Sequence, residues 1–290
     1  MDDALRAGVA AALNDEVIAM TAVRGGDVAE AYRVTMASGV TVFAKTHRSP
    51  PPGFFTTEAA GLRWLREPAV LAVPEVLAVH DGHPDGVAML VLEWIQEGGE
   101  PSNDEGAFGR ALAELHRAGA PSFGREDRCT TGSRALPNEP CATWDEFIAT
   151  QRLGPIATLV FSAVHLDNRL AQRIDAVANR VSDFGAGHEA PARLHGDLWA
   201  GNRLVDRDGQ PWLIDPACFG GHREFDLAMM RLFGGFGDAA FAAYDDAFPL
   251  AAGWEGRVPL HQLAPLAIHA IKFGGSYVSA LDRALSALGG

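Results

Sequence analysis

Apolar residues Leu5, Val9 and Leu13 recur at four-residue spacing and predict a short opening helix with one buried face. The pattern then changes period. Val17 to Val23, Val28 to Met36 and Val40 to Ala44 are β-rich runs punctuated by Gly25-Gly26 and Ser38-Gly39, which predicts three antiparallel strands joined by tight turns. Pro50-Pro51-Pro52-Gly53 reads as a loop. Phe55, Ala59, Leu62 and Leu65 return to helical spacing and predict a helix from Phe55 to Arg66, stopped by Pro68. Val76 to His80 and Val87 to Glu93 predict two more strands around an Asp-Gly turn.

After Gln96-Glu97-Gly98-Gly99 the period is helical almost to the end. Glu105 to Arg117 predicts an amphipathic helix, and residues 120–142, rich in Pro, Gly, Ser and Asn, a long loop. Trp144 to Arg152, Leu166 to Phe184, Glu224 to Phe233 and Leu260 to Leu285 predict further helices, with a short loop-and-hairpin section from Leu194 to Pro216. The expected fold class is α+β: a β-rich lobe with one helix over residues 1–95, then a larger helical lobe over 96–290, with a hinge near 93–99.

The chain has 290 residues, 48% of them apolar, enough to bury a substantial core or two smaller ones. The formal charge of -13 disfavours nucleic acid and anionic lipid as partners. Three cysteines, Cys129, Cys141 and Cys218, with no C-x-x-C pair, argue against a disulfide framework or a cysteine zinc site. The acidic start Met1-Asp2-Asp3 lacks the features of a secretion signal, and no apolar run reaches membrane-spanning length, so a cytoplasmic protein is expected.

The polar residues that stand out lie in the loop-and-hairpin section. His195-Gly196-Asp197 is followed by Asn202, five residues after Asp197, and Asp215 ends the apolar run Trp212-Leu213-Ile214. Phosphoryl transfer needs a base for the acceptor hydroxyl and hard oxygen ligands for Mg²⁺ more than it needs covalent chemistry. In that scheme Asp197 accepts the hydroxyl proton while Asn202 and Asp215 hold the metal. His195 is expected to be scaffold, and Asp226, eleven residues after Asp215, to hold the loop backbone. In the first lobe Lys45 closes the third predicted strand, where a kinase places the lysine that holds the α- and β-phosphates, and Glu58 on the next helix is its expected partner. Gly25-Gly26 is a candidate cover for the triphosphate, and Glu93 to Ile95 a candidate source of backbone contacts to adenine. H-G-D alone is also an ordinary turn, and a lone Lys and Glu pair an ordinary solvated face. The full set in this order predicts a protein-kinase-like, ATP-dependent phosphotransferase. The short span from Asp215 to Asp226 and the missing Ala-Pro-Glu leave no platform for a peptide, so the expected acceptor is a small molecule.

These residues resemble the fructosamine kinase, or ketosamine 3-kinase, family. The resemblance is carried by His195 to Asn202 and by the long run Asp215-Pro216-Ala217-Cys218-Phe219-Gly220-Gly221-His222-Arg223-Glu224-Phe225-Asp226-Leu227-Ala228-Met229. It extends to Gly25-Gly26-Asp27, Phe43-Ala44-Lys45, Glu58-Ala59-Ala60-Gly61-Leu62, Leu112-Ala113-Glu114-Leu115-His116, Leu232-Phe233-Gly234-Gly235-Phe236 and Phe273-Gly274-Gly275-Ser276-Tyr277. It implies ATP-dependent phosphorylation of the sugar 3-hydroxyl of a ketosamine, free or on a protein lysine, and hence a part in deglycation. A monomer is expected.

Two features depart from the family. Its Asp-Asn-x-Ile-Gly and Gln-Pro-Asn elements are replaced by Arg128-Cys129-Thr130-Thr131-Gly132 and Leu136-Pro137-Asn138, and the glycine-rich segment has no cysteine for a redox switch. The first departure puts substrate preference in doubt if that loop borders the acceptor. The competing expectations are a kinase of another amine-bearing acceptor, an aminoglycoside or amino alcohol, and a catalytically inactive nucleotide-binding protein. Trp199 either packs under the loop or faces the acceptor, with core packing favoured for a residue this large, and His222, Arg223 and Glu224 are candidates to shape the acceptor side.

Overall fold

A computed structural model describes residues 2–23, 29–82, 86–98, 105–125, 130–131, 136–185 and 187–289. In chain order the elements are α1 (Asp2–Leu13), β1 (Val17–Val23), β2 (Glu30–Met36), β3 (Thr41–Thr46), α2 (Phe54–Arg66), β4 (Val76–Asp81), β5 (Ala88–Glu93), α3 (Glu105–Arg117), β6 (Thr130–Thr131), β7 (Leu136–Pro137), α4 (Trp144–Phe147), α5 (Gly154–Ser162), α6 (Asn168–Ala178), β8 (Ala192–Leu194), β9 (Arg203–Val205), β10 (Pro211–Leu213), β11 (Phe219–Gly221), α7 (Glu224–Phe233), α8 (Asp238–Ala247), α9 (Trp254–Phe273) and α10 (Ser276–Ala287). The chain forms two compact units, and the division does not follow sequence order. The first unit takes residues up to 103 and also 201–217, so one boundary falls inside the His195 to Asn202 loop.

The first unit is built on a five-stranded antiparallel sheet in the order β1-β2-β3-β5-β4. Helix α1 closes one side. Leu5 and Val9, spaced one turn apart, are fully buried against Val17, Val34, Val42 and Met89. Each such side chain removed from water stabilises the unit by about 1.5–3 kcal/mol. Helix α2 buries Phe55, Ala59, Leu62 and Leu65, the face read from the sequence. The short β9–β10 hairpin belongs to this unit too. Asp206 closes its turn by accepting from the N–H groups of Asp208 (3.0 Å) and Gln210 (2.9 Å) and from Trp212 Nε1 (2.8 Å). The Trp212 hydrogen bond holds the Asp206 carboxyl below its ordinary range. Ala72 runs parallel to Trp212 and accepts the N–H of Leu213 at 2.9 Å, tying the hairpin to the segment after α2.

The second unit is helical around one apolar core. Trp144, fully buried, lies against Phe123, Phe147 and His261 at centroid distances of 5.9, 5.7 and 5.7 Å. The stretch read as one helix from Trp144 passes from α4 through a π-helical segment, Ile148–Leu153, into α5. The wider turn puts Arg152 between the rings of Phe147 and Phe219, each 4.5 Å away, with its guanidinium donating to Pro137 O (2.6 Å) and Asn138 Oδ1 (2.8 Å). Burial lowers the Arg152 pKa to about 9.

The predicted Leu260 to Leu285 helix is two helices, because Gly274 and Gly275 both have positive φ (63° and 57°) and stop α9. The predicted Leu166 to Phe184 helix ends as α6 at Ala178, followed by a 3-10 turn, Val181–Phe184. Pairing of β8 with β11, too short to read from periodicity, closes the base of the His195 loop. Among the described residues no helix is long and apolar enough to cross a membrane.

Candidate active site

In the first unit, four of the expected residues come together, two of them through the geometry of one hairpin. Leu213 pairs with Arg203, so the register continues to place Ile214 opposite Asn202, and Ile214 N–H donates to Asn202 O at 3.0 Å. Asn202 and Asp215 therefore flank the open end of the hairpin, and Asn202 Nδ2 lies 3.5 Å from Asp215 O. Asp215 has φ of 53°, a left-handed conformation that costs a non-glycine residue about 1–2 kcal/mol. Strain of that kind is characteristic of ligand-binding positions.

Lys45 donates to Asp215 Oδ1 and, at 2.7 Å, to Glu58 Oε1. Burial alone would lower the Lys45 ammonium, but the two carboxylates outweigh it and hold the pKa above its ordinary value. Burial and the charge of Asp215 push Glu58 upward against the pull of Lys45. The result is one largely buried cation between a largely buried carboxylate, Glu58, and a partly exposed one, Asp215, with only one of its partners on a neighbouring element in sequence.

Glu93 ends β5. Its N–H donates to Glu75 O (3.0 Å), and its carboxylate accepts from Glu75 N–H (3.2 Å) and faces Arg66 at 3.8 Å. Ile95 is 9% exposed and its carbonyl accepts from Glu97 N–H at 3.1 Å. Gly25 and Gly26 lie outside the described residues.

The second unit holds the loop with Asp197. Asp226, fully buried near the start of α7, accepts the backbone N–H groups of His195 (2.8 Å) and Gly196 (2.9 Å). This is the backbone clamp expected of it. The same carboxylate lies 3.2 Å from His116 Nε2, and His116 Nδ1 lies 2.7 Å from the Tyr244 hydroxyl. The sequence offered no signal for these two links, because they join α3 and α8 to α7. His195 is fully buried and its Nδ1 accepts the N–H of Asp197 at 3.3 Å, the scaffold position expected of it. Gly196 has φ of 80°, which favours glycine at that position.

One expectation is corrected. Trp199 does not pack in the core: it is 39% exposed, with one edge against Phe233 at 5.9 Å. His222, Arg223 and Glu224, expected on the acceptor side, lie inside the second unit. All three are buried and saturated by charge: Arg223 grips Glu189 (2.6 and 2.8 Å), and Arg257 grips Glu224 (2.8 and 2.6 Å) with His261 Nε2 at 3.2 Å. Asn138, in the departing stretch, is 1% exposed and serves Arg152. Thr130–Thr131 pair with β7, and Arg128, Cys129 and Gly132 lie outside the described residues.

The fold is that of the protein-kinase-like phosphotransferases. The family model for fructosamine kinase matches residues 4–288. An Enterococcus faecium protein named a probable ketoamine kinase is 35% identical over 94% of this chain and 95% of its own length. The chloroplastic protein-ribulosamine 3-kinase of Arabidopsis thaliana is 35% identical over 82% of this chain and 72% of its own. A crystal structure from Thermobifida fusca bearing the name fructosamine-3-kinase aligns with a TM-score of 0.89 at 36% identity, covering 99% of this chain and 98% of that one. With Asp226 clamping the His195 loop, its lysine between two carboxylates and these likenesses along nearly its whole length, the chain belongs to the fructosamine kinase family.

Proposed function

We propose that this protein is an ATP-dependent ketosamine kinase that phosphorylates the sugar 3-hydroxyl of a fructosamine or related adduct, free or on a protein lysine. The observation that carries the reading is the cluster of Lys45, Glu58, Asp215 and Asn202 in a chain of this family. In a nucleotide complex Lys45, oriented by Glu58, exchanges its contact with Asp215 for the α- and β-phosphate oxygens. The first unit holds ATP, with adenine against the segment from Glu93 to Ile95 and the triphosphate under Gly25-Gly26.

Asp215 and Asn202 supply the hard oxygen donors that suit Mg²⁺, and the Asn202 side chain lies beside Asp215 through the contact of its Nδ2 with Asp215 O. Mg²⁺ there would neutralise charge on the β- and γ-phosphates. Asp197 orients the acceptor hydroxyl and takes its proton as that oxygen bonds to the γ-phosphorus and ADP leaves. The two N–H bonds to Asp226 keep the Asp197 backbone from shifting during that transfer. The protein acts as a cytoplasmic monomer, with no nucleic-acid or membrane partner.

A substrate panel tests this. Purified protein with ATP and Mg²⁺ is expected to release ADP with fructosyl-lysine or ribulosyl-lysine and not with kanamycin or choline. Turnover of the aminoglycoside or amino alcohol without the ketosamines would overturn the acceptor assignment. ATP binding with no acceptor-dependent turnover at all would overturn the enzyme reading.

A further inference from the structure

Helix α2 carries Glu58, yet its own sequence gives it a poor start. The residue before it, Gly53, has φ of 75° and offers no side-chain cap, and the first turn contains no acidic residue. A helix begun this way leaves its first N–H groups and the positive end of its dipole unanswered. The answer comes from another element. Asp81, the last residue of β4, places Oδ1 2.9 Å from the N–H of Phe55 and 3.2 Å from that of Thr56, and Oδ2 accepts the Thr56 hydroxyl at 2.6 Å.

We infer that Asp81 is a positioning residue for the Lys45–Glu58 pair: the cap it places on α2 fixes the turn that presents Glu58. The inference rests on the role proposed for Lys45 and Glu58. Glu58 lies two residues beyond Thr56, within one turn of the capped N–H groups, so fraying of that turn releases it first. The strand register links the two ends of the device. Asp81 pairs with Ala88, and the Ala88 carbonyl accepts the buried Thr46 hydroxyl at 2.8 Å. Thr46 is next to Lys45, which pairs with Leu90 on the same β5 strand. Lys45 and the cap for α2 are thus set by one strand, β5, that touches both their strands. Gly82, next to Asp81, has φ of 86° and Ala88 3.1 Å from where its Cβ would stand, so a side chain there would crowd the β4–β5 pairing.

The test compares Asp81→Ala, Asp81→Asn, Lys45→Met and Glu58→Gln by steady-state kinetics against both substrates, with thermal unfolding measured on each. Asp81→Ala is expected to lower kcat/KM for ATP about tenfold and leave the KM for ketosamine unchanged, in line with loss of a helix cap. Asp81→Asn, which keeps a cap oxygen, is expected to stay within about threefold of wild type. In the Glu58→Gln background Asp81→Ala is expected to add little, since both changes act through the same carboxylate.

Full ATP kinetics in Asp81→Ala while Lys45→Met is defective would sink this inference alone. Additive losses with Glu58→Gln would do the same. Normal ATP kinetics in Lys45→Met would instead sink the reading on which it rests. If Asp81→Ala does not fold, Thr56→Val, which removes the hydroxyl bond to Asp81, carries the test: it is expected to cost ATP kcat/KM about threefold, and no change overturns the inference.

Discussion

Lys45 and Glu58 meet at 2.7 Å although one ends a strand and the other rides a helix, and both are nearly withdrawn from water. A pair so placed is costly to break, because the surviving charge keeps its burial and loses its partner. Lys45→Met leaves Glu58 and Asp215 facing each other with no cation. Unfolding free energy is expected to fall by about 3 kcal/mol and ATP affinity by at least about tenfold. Chemical denaturation and nucleotide titration check the two separately, and unchanged ATP affinity would remove Lys45 from the nucleotide site.

Asp197 and Asp215 are expected to fail in different ways. Asp197→Asn keeps the loop and its clamp on Asp226 but removes the proton acceptor. Its kcat should drop by several orders of magnitude, on the order of 4 kcal/mol or more, with ATP binding nearly intact. Asp215→Ala removes both a partner of Lys45 and an oxygen donor, so binding of ATP in the presence of Mg²⁺ should weaken. Isothermal titration with and without Mg²⁺ distinguishes the two; equal effects on binding would contradict the division of roles.

The paired glycines after α7 separate strain from contact. Both have positive φ, 71° at Gly234 and 87° at Gly235. A Cβ on Gly234 would meet nothing within 4 Å, whereas one on Gly235 would stand 2.3 Å from the Cβ of Ala200 in the loop that carries Asp197. Gly234→Ala is therefore expected to lose about 1–2 kcal/mol of stability and keep its kcat. Gly235→Ala should lose kcat as well, by about tenfold or more, since it displaces the loop. Adding Ala200→Gly should restore part of that kcat; no restoration would mean that the contact is not the cause.

The buried His222 makes the second unit acid-sensitive. Burial first, and the neighbouring His261 second, lower its pKa to about 4 against the attraction of Glu224 and Glu189, while Arg223 opposes protonation further. Because the folded value lies below the unfolded one, its contribution to stability is complete above about pH 6.5 and is lost as the pH falls toward 4, about 3 kcal/mol in all. Glu224 is lowered to about 2, by hydrogen bonds from His261 and Arg257 that outweigh burial, and extends the loss below pH 4.5. Denaturation midpoints between pH 7 and 4 are expected to fall in wild type and to fall less steeply in His222→Gln. An equal slope in the two would assign the acid loss elsewhere.

Local sequence pattern was enough to place α1, α2, α3, α7 and the five strands of the first sheet; α1 and α2 bury one face on a helical period, while β5 and α7 are marked by continuous apolar runs. It did not separate α9 from α10, since apolar spacing continues across Gly274-Gly275 and only the backbone turn there interrupts it. It also passed over α5, whose residues are apolar nearly all round, and β8 and β11, which are three residues each. The exposure of Trp199 was out of reach for the same reason: side-chain type sets a preference for burial, while the path of the loop decides it.

That Asn202 and Asp215 flank one end of a short hairpin was legible because strand register is local: residues flanking a hairpin must come opposite one another. That Lys45 has two carboxylate partners, that Asp226 reaches His116 and Tyr244, and that Asp81 starts a helix it does not belong to were decided by tertiary structure alone. Single polar residues carry no periodic signal, and hydrogen bonds spanning 25 to 170 residues of chain exist only once packing has brought their elements together.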